Sequence, residues 1–377
     1  MEEFNFKINY NECITNVACS VLKYFDCEYH HQTIPILDEI LNKKKPQNVI
    51  LMLFDGLGSK MLEHSLDKDS FLIKNKIKDI TSVFPSTTAS STLSAQTGLN
   101  PSEHGWLGWS NYISPINSIM YLFWESEKGK REKREDFIKI KEEFLSPKKL
   151  VDIIKEKGND TYAISPYDEY KYKRLSQMFY SIREKLEVKN GKKKFMYVYN
   201  PEPDSTMHRT GWDSNESKEM ILERNNALEE FYNKHLDKET IIIIVADHGH
   251  INAENIYLTD YPDIKELMEV SIFGEDRCPM FKVKEGKKEK FKELFEKYFG
   301  KYFYLFSKEE IKNRKIFGDI SYQENKLFDS SLGDFIAINK GNENKVILDE
   351  NDFAMDSVHG GNSDNEVYIP LIVLSKN

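Results

Sequence analysis

Short apolar runs alternate with helical stripes along most of the chain. Two of these runs, at 49–54 and 241–246, contain six consecutive apolar residues, as do strands that are buried on both faces. Four further runs complete the predicted strands, at 80–83, 162–165, 195–199 and 368–374. Apolar residues at helical spacing lie between the runs. Because strands that alternate with helices form parallel sheets, the pattern predicts an α/β fold with a mostly parallel central sheet and helices on both faces.

Two segments do not follow this alternation. Residues 1–47 carry two helical stripes, and we expect them to form a helical N-terminal segment that packs on the core. Residues 251–340 contain a short apolar run, an amphipathic helix that ends near Gly300 and another apolar run, which together predict a small inserted α+β cap. We therefore assign residues 48–250 and 341–377 to the core domain.

The composition and the lengths of the apolar runs indicate which binding partners and which cellular location to expect for the protein. The 377 residues carry 53 basic and 62 acidic side chains, and the net charge of −9 disfavours a general nucleic-acid binder, because phosphate backbones require a basic face. The apolar runs are too short for a membrane-spanning helix, which needs about 20 residues. The N-terminus lacks the pattern of a signal peptide, and the four cysteines form no CxxC pair. We therefore expect a cytoplasmic protein without a membrane anchor.

Polar side chains lie at the carboxyl ends of the predicted strands. This is the edge of the sheet at which ligands bind in α/β proteins. Each of these side chains taken alone could have an ordinary structural role, as part of a helix-start pair, a solvated turn or a loop histidine. Together with a hydroxyl from the run 86–88, they form a donor set that suits zinc or manganese. The carboxylates and imidazoles are those of Asp55, Asp204, His208, Asp247, His248 and His359.

Several short motifs contain these residues. They are Asp55-Gly56, Phe84-Pro85-Ser86-Thr87-Thr88, Thr97-Gly98-Leu99-Asn100-Pro101, His104-Gly105, Glu202-Pro203-Asp204 with His208, Asp247-His248-Gly249 and His359-Gly360. In this order the motifs resemble those of the alkaline phosphatase superfamily and, within it, the type I phosphodiesterase/nucleotide pyrophosphatase family. The resemblance runs from residue 48 to the end of the chain and leaves only the N-terminal segment and the cap uncovered.

The resemblance implies a hydrolase with two divalent metal ions, zinc in the first place and manganese as the alternative. It aligns Thr88 with the nucleophile of the family, so that a phosphothreonine intermediate would form and then be hydrolysed. The substrate would be a small phosphorylated molecule, with nucleotides among the candidates, cleaved at a phosphodiester or phosphoanhydride bond. One ion would be held by Asp204, His208 and His359, and the other by Asp55, Asp247, His248 and the Thr88 oxygen.

One departure from the family leaves the substrate open. Trp109 stands where the family commonly has an asparagine that donates to a phosphoryl oxygen, and an indole offers a single N–H. Its ring could stack on a base or a sugar, or it could fill the core. Among the remaining histidines, His250 could be a metal ligand, a donor that orients a ligand or a surface residue, of which we expect the last, and we expect His104 to be structural.

Two alternative functions stay open at this point. A phosphomonoesterase or a phosphonate-bond hydrolase would use the same scaffold. A non-catalytic metal-binding or ligand-binding relative would keep the fold, although every predicted ligand position and the nucleophile are present. The sequence does not indicate the oligomeric state.

Overall fold

The computed structural model describes residues 4–341, 344–350 and 352–376, so a few residues of the predicted N-terminal segment and core domain lie outside it. Within the described residues, the strands are β1 Asn48–Phe54, β2 Lys76–Thr81, β3 Ser110–Ile113, β4 Ser118–Tyr121, β5 Ser126–Glu127, β6 Asp160–Ile164, β7 Lys194–Asn200, β8 Thr240–Val245, β9 Ile251–Asn252, β10 Glu254–Tyr257, β11 Phe273–Glu275, β12 Cys278–Phe281, β13 Phe303–Ser307, β14 Phe335–Asn339, β15 Lys345–Leu348, β16 Ser357–Val358 and β17 Tyr368–Ser375.

The helices of the same residues are α1 Ile14–Tyr24, α2 Pro35–Lys44, α3 Ser59–Ser65, α4 Phe71–Lys74, α5 Thr88–Thr97, α6 Pro101–His104, α7 Glu135–Phe144, α8 Leu150–Glu156, α9 Leu175–Glu187, α10 Asp204–Thr210, α11 Asn215–His235, α12 Pro262–Lys265, α13 Lys288–Phe299, α14 Lys308–Asn313, α15 Phe328–Ser331 and α16 Asp364–Val367. Short 3-10 turns cover Ser114–Ile116 and Leu258–Asp260. None of these helices has the length and apolar character that a membrane span requires.

Six strands form a central sheet in the order β2-β17-β8-β1-β7-β6. The pairs β1–β7, β1–β8 and β6–β7 are parallel, whereas β17 runs antiparallel to its neighbours β8 and β2. The predicted α/β fold with a mostly parallel sheet is therefore confirmed, with one antiparallel strand that the apolar pattern did not indicate. Strand β2 begins at Lys76, four residues before the predicted run at 80–83. The apolar pattern misses this start because the first part of this edge strand is half-exposed and mixes charged with apolar residues.

The centre of the sheet is covered on both faces. Every residue of β1 and β8 is buried, and since successive side chains of a strand face opposite sides, complete burial requires packing on both. Helix α1 contributes to this core through Ile14, Val17 and Val21. This burial explains why both strands are visible in the sequence as unbroken apolar runs.

A second, antiparallel sheet has the order β13-β14-β12-β11-β3-β4-β5. Four of its strands come from the predicted cap at 251–340, and the other three, β3 to β5, come from residues 110–127. The two groups join where Gly274 of β11 pairs with Ser110 of β3. The predicted boundaries of the cap stay a prediction, but its sheet includes an earlier part of the chain whose short strands carry no clear pattern.

Candidate metal centre

Loops at one edge of the central sheet bring the predicted residues together. Asp55 follows β1, Asp247 follows β8, and Asp204 begins α10 after β7. These three strands are parallel neighbours, so their carboxyl ends are adjacent. His359 precedes β17, and because this strand is antiparallel, its amino end reaches the same edge.

Two local features of the backbone shape this edge. Thr88 is the first residue of α5, after Thr87 in an extended conformation, and the start of a helix has unpaired N–H groups that favour an anion. Gly56 has a φ of +73°, and a Cβ at this position would lie 3.0 Å from the Cα of Asp204 and from Nε2 of His250. Only glycine therefore allows the loop after Asp55 to approach α10 this closely.

The first predicted ligand group surrounds one oxygen of Asp204. Nε2 of His208 lies 3.2 Å from Asp204 Oδ1, and Nε2 of His359 lies 3.7 Å from it. Nδ1 of His208 donates to the carbonyl oxygen of Ser357 at 2.7 Å. This hydrogen bond fixes the tautomer and leaves Nε2 as a lone-pair donor toward the centre, as is typical of metal-binding histidines.

The second predicted group lies beside the first. Nε2 of His248 is 3.3 Å from Asp55 Oδ1 and 3.6 Å from Asp247 Oδ2, and its Nδ1 donates to the Gly249 carbonyl oxygen at 3.1 Å. Thr88 Oγ1 lies 3.1 Å from the same Nε2 and 3.4 Å from Asp55 Oδ1. The rings of His248 and His359 stack with centroids 3.7 Å apart, so the two groups are adjacent.

Like charges are crowded at this site. Burial and Asp55 raise the pKa of Asp247 well above its ordinary value, and burial and Asp204 raise the pKa of Asp55. Burial lowers the pKa of His248, but Asp247 and Asp55 outweigh burial and raise it to about 10. Burial and His248 hold the pKa of His359 well below its ordinary value. A divalent cation would supply the positive charge that these carboxylates need and would leave the imidazoles neutral.

The donor atoms fit divalent metal ions. The carboxylate oxygens and imidazole nitrogens of each group lie within 4.8 Å of one another. Asp247 Oδ2 and His359 Nδ1 are buried, and they have no hydrogen-bond partner within the described part of the chain. Carboxylate and imidazole donors in this combination suit zinc or manganese.

The expectation that His250 is a surface residue is wrong. Its side chain is fully buried, with Nε2 2.8 Å from Asp204 Oδ1 and Nδ1 3.1 Å from Ser357 Oγ. The pairing of β9 with β16 draws the chain after His250 inward, and this long-range contact has no sequence signal. The sequence did contain one indication of this position: His250 lies two residues after His248, and residues two apart share a face in an extended chain.

Two more residues at the site were missed from the sequence. The hydroxyl of Tyr199 in β7 donates to Asp55 Oδ2, and burial raises the pKa of Tyr199 well above its ordinary value, so the donor keeps its proton. Oε1 of Glu275 in β11 accepts hydrogen bonds from Thr87 Oγ1 at 2.7 Å and from the Trp109 N–H at 2.6 Å. Glu275 thereby joins the second sheet to the residue that precedes Thr88.

Trp109 lies between two cavities and does not fill the core. Its side chain is half-buried, and its backbone N–H is held by Glu275. The metal-side cavity, about 250 Å³, is lined by Thr88, Trp109, Asp204, His208, Glu275 and His359, among others. The aromatic cleft, about 520 Å³, is lined by Thr88, Trp106, Trp109, Phe123, Tyr167 and Tyr199, among others. His104 is buried away from both cavities, with Nε2 3.0 Å from Ser94 Oγ.

Solved structures share this fold at low sequence identity. Murine ectonucleotide pyrophosphatase/phosphodiesterase 5 is 20% identical, covers 87% of this chain and 88% of its own, and gives a TM-score of 0.64. An inactive threonine-to-alanine variant of the murine protein in complex with AMP is 20% identical over 86% and 87%, with a TM-score of 0.62. Phosphonoacetate hydrolase from Sinorhizobium meliloti, in complex with phosphonoacetate, is 14% identical over 87% and 90%, with a TM-score of 0.63. No relative among the curated proteins matches the chain.

One family covers most of the sequence. The model described as type I phosphodiesterase/nucleotide pyrophosphatase matches residues 49–344. The matched range includes every predicted site residue except His359, which lies beside His208 with ring centroids 5.1 Å apart. The predicted family and enzyme class are confirmed. The chain therefore belongs to the type I phosphodiesterase/nucleotide pyrophosphatase family, a family of metal-dependent hydrolases in the alkaline phosphatase superfamily.

Proposed function

We propose that the chain is a two-metal phosphohydrolase that cleaves phosphodiester or phosphoanhydride bonds through a phosphothreonine intermediate on Thr88. The observation that carries the proposal is the position of the Thr88 hydroxyl. It lies at the amino end of α5, within 3.4 Å of both a carboxylate and an imidazole of the second ligand group. A free threonine hydroxyl is a weak nucleophile, and metal-binding side chains around it are the setting in which it is activated.

Each part of the site would have its own task. Bound metal ions supply Lewis acidity, which lowers the pKa of a hydroxyl and neutralises phosphoryl oxygens. Thr88 Oγ1 forms the bond to phosphorus as the leaving oxygen departs, and a water molecule then hydrolyses the threonine ester. The N–H groups at the start of α5 stabilise the phosphoryl oxygens during both steps. The proposed zinc ligands, with manganese as the alternative metal, are Asp204, His208 and His359 for one ion and Asp55, Asp247, His248 and Thr88 for the other.

The murine relative supports both the nucleophile and the substrate class. The variant that was solved with AMP is inactive and carries alanine in place of a threonine. We assign the equivalent role to Thr88, and we regard a nucleotide as one candidate substrate. The aromatic cleft beside Thr88 has a volume of about 520 Å³ and so can hold the larger part of such a substrate, since pockets for molecules of this size span about 300–1,000 Å³.

A phosphomonoesterase or phosphonate-bond hydrolase is the second candidate. Trp109 replaces the asparagine that commonly donates to a non-bridging oxygen in this family, and the fold is shared with phosphonoacetate hydrolase. Without a hydrogen bond from this position to the non-bridging oxygen, the enzyme has one contact fewer with which to distinguish diesters from monoesters.

A substrate panel combined with metal analysis tests the proposal. The purified protein would be assayed with bis-p-nitrophenyl phosphate, p-nitrophenyl phosphate, a nucleoside p-nitrophenyl ester and phosphonoacetate. We expect two metal ions per chain and the highest kcat/KM with a diester. A strong preference for the monoester or for phosphonoacetate would establish the second candidate instead. Fewer than two metal ions, or no turnover of any compound, would favour a non-catalytic binding protein.

A further inference from the structure

The metal-side cavity has an aromatic wall, formed by Trp109, Tyr121 and Trp124. Trp109 and Trp124 pack edge to face with ring centroids 5.5 Å apart, and Tyr121 meets Trp124 in the same geometry at 4.9 Å. Trp124 is 50% exposed, so its ring is not fully buried in the core and remains accessible to a ligand. The faces of such rings attract cations through their quadrupole.

A second set of lining residues in the same cavity is mainly acidic. Glu275, Asp276 and Asp352 contribute three carboxylates, against the single ammonium of Lys128. The ammonium is already engaged, because Lys128 Nζ lies 2.7 Å from Asp352 Oδ1 and donates to the carbonyl oxygen of Ile272 at 3.0 Å. These two contacts use two of the three N–H donors of Lys128, and Asp352 neutralises its charge.

Asp276 is the carboxylate without a partner. Over the described ranges its side chain makes no hydrogen bond and no ion pair, whereas Glu275 accepts two hydrogen bonds and Asp352 pairs with Lys128. Burial, Asp352 and Glu275 raise the pKa of Asp276 to about 8. A cation bound beside Asp276 would stabilise its ionised form.

We propose that the metal-side cavity binds an organic ammonium group of the substrate's leaving group, with Asp276 as the counter-ion and the aromatic wall around the cation. This inference rests on the proposed function, since it names the substrate class of the same site. His208 and His359 also line the cavity, which places the ammonium next to the reacting phosphate. A volume of about 250 Å³ fits a small amino alcohol and is below the range of about 300–1,000 Å³ typical of larger ligands.

An anionic leaving group suits this cavity poorly. The carboxylate of phosphonoacetate, or a further phosphate group, would lie beside three acidic side chains and meet a lysine that already pairs with Asp352. Like charges at contact distance repel strongly where little water screens them. We therefore expect esters with a cationic leaving group to be better substrates than phosphonoacetate.

Inhibition by two alcohols of the same shape tests the proposal. Choline carries a quaternary ammonium, and 3,3-dimethyl-1-butanol has a carbon atom in its place. In the hydrolysis of bis-p-nitrophenyl phosphate by the zinc-loaded enzyme, we expect an inhibition constant about tenfold lower for choline, the scale of a cation held by rings and a carboxylate. Asp276→Asn and Trp124→Leu should each move this ratio toward one. The control Asp69→Asn, which changes a 93% exposed carboxylate outside the cavity, should keep it.

The outcomes separate this inference from the proposed function. Equal inhibition constants in an enzyme that hydrolyses the diester would overturn the cation site and leave the phosphohydrolase intact. A tenfold ratio that Asp276→Asn does not change would overturn the assignment to this cavity. If no ester is hydrolysed, the proposed function fails, and calorimetric titration of both alcohols into the zinc-loaded protein still tests the site. Binding of choline that is lost in Asp276→Asn would support it, and binding of neither alcohol would overturn it.

Discussion

The ion pair between Arg277 and Glu366 should make a large contribution to stability. Both side chains are fully buried, and the guanidinium donates twice to the carboxylate, from Nε to Oε1 at 3.0 Å and from Nη2 to Oε2 at 2.8 Å. Oε1 also accepts from the N–H of Gly361 at 2.8 Å, two residues after His359. Glu366→Gln keeps the size of the side chain but removes the carboxylate charge that the Arg277 guanidinium contacts twice. Breaking a buried pair in this way costs about 3–5 kcal/mol.

Urea unfolding followed by tryptophan fluorescence measures this cost. We expect the free energy of unfolding to fall by about 3–5 kcal/mol in Glu366→Gln. The control Glu269→Gln breaks an ion pair of 2.9 Å with Lys282, whose side chains are 45% and 28% exposed, and should cost about 0.5 kcal/mol or less. A loss below about 1 kcal/mol in Glu366→Gln would refute the reasoning, because the buried guanidinium would then have found another counter-charge.

Three further results are expected. Tyr199→Phe removes the hydrogen bond to Asp55 and should weaken zinc binding about 10–100-fold in competition with a chelator, and unchanged affinity would rule out an orienting role. His250→Ala, which removes the contact to Asp204, should have a similar effect, whereas the exposed His64→Ala should have none. Burial raises the pKa of Glu366, but Arg277 and Ser363 outweigh burial and lower it below its ordinary value. Because the folded pKa is depressed, this stabilisation is complete above about pH 4.3 and is lost as the pH falls further, so wild type and Glu366→Gln should converge in stability in acid.

The ligand groups could be predicted because each of these side chains is close in sequence to a strand that is easy to recognise. Asp55 and Asp247 directly follow runs of six apolar residues, and both strands are completely buried. A side chain that directly follows a buried parallel strand must lie at the carboxyl edge of the sheet. His359 differs from Asp55 and Asp247 because it precedes its strand, and it reaches this edge only because β17 runs antiparallel, which an apolar run does not reveal.

The contributions of the second sheet could not be predicted. Glu275 lies in β11 and Arg277 lies between β11 and β12, and β11 pairs with β12 and with β3, the latter a contact between segments about 160 residues apart in sequence. Strands β3 and β4 have four residues each and mix polar with apolar side chains, so their pattern is too short to identify. The burial of His250 likewise depends on a pairing with residues more than 100 positions away.

Peptide mass spectrometry of enzyme quenched with acid during turnover tests the central claim most directly. With bis-p-nitrophenyl phosphate as substrate, attack by Thr88 releases one p-nitrophenolate, so we expect a p-nitrophenyl-phosphoryl adduct on Thr88 in the wild-type enzyme. The variant Thr88→Ala should show no adduct, retain most of its metal and lose turnover. An adduct on another residue, or substantial turnover by Thr88→Ala, would contradict the account.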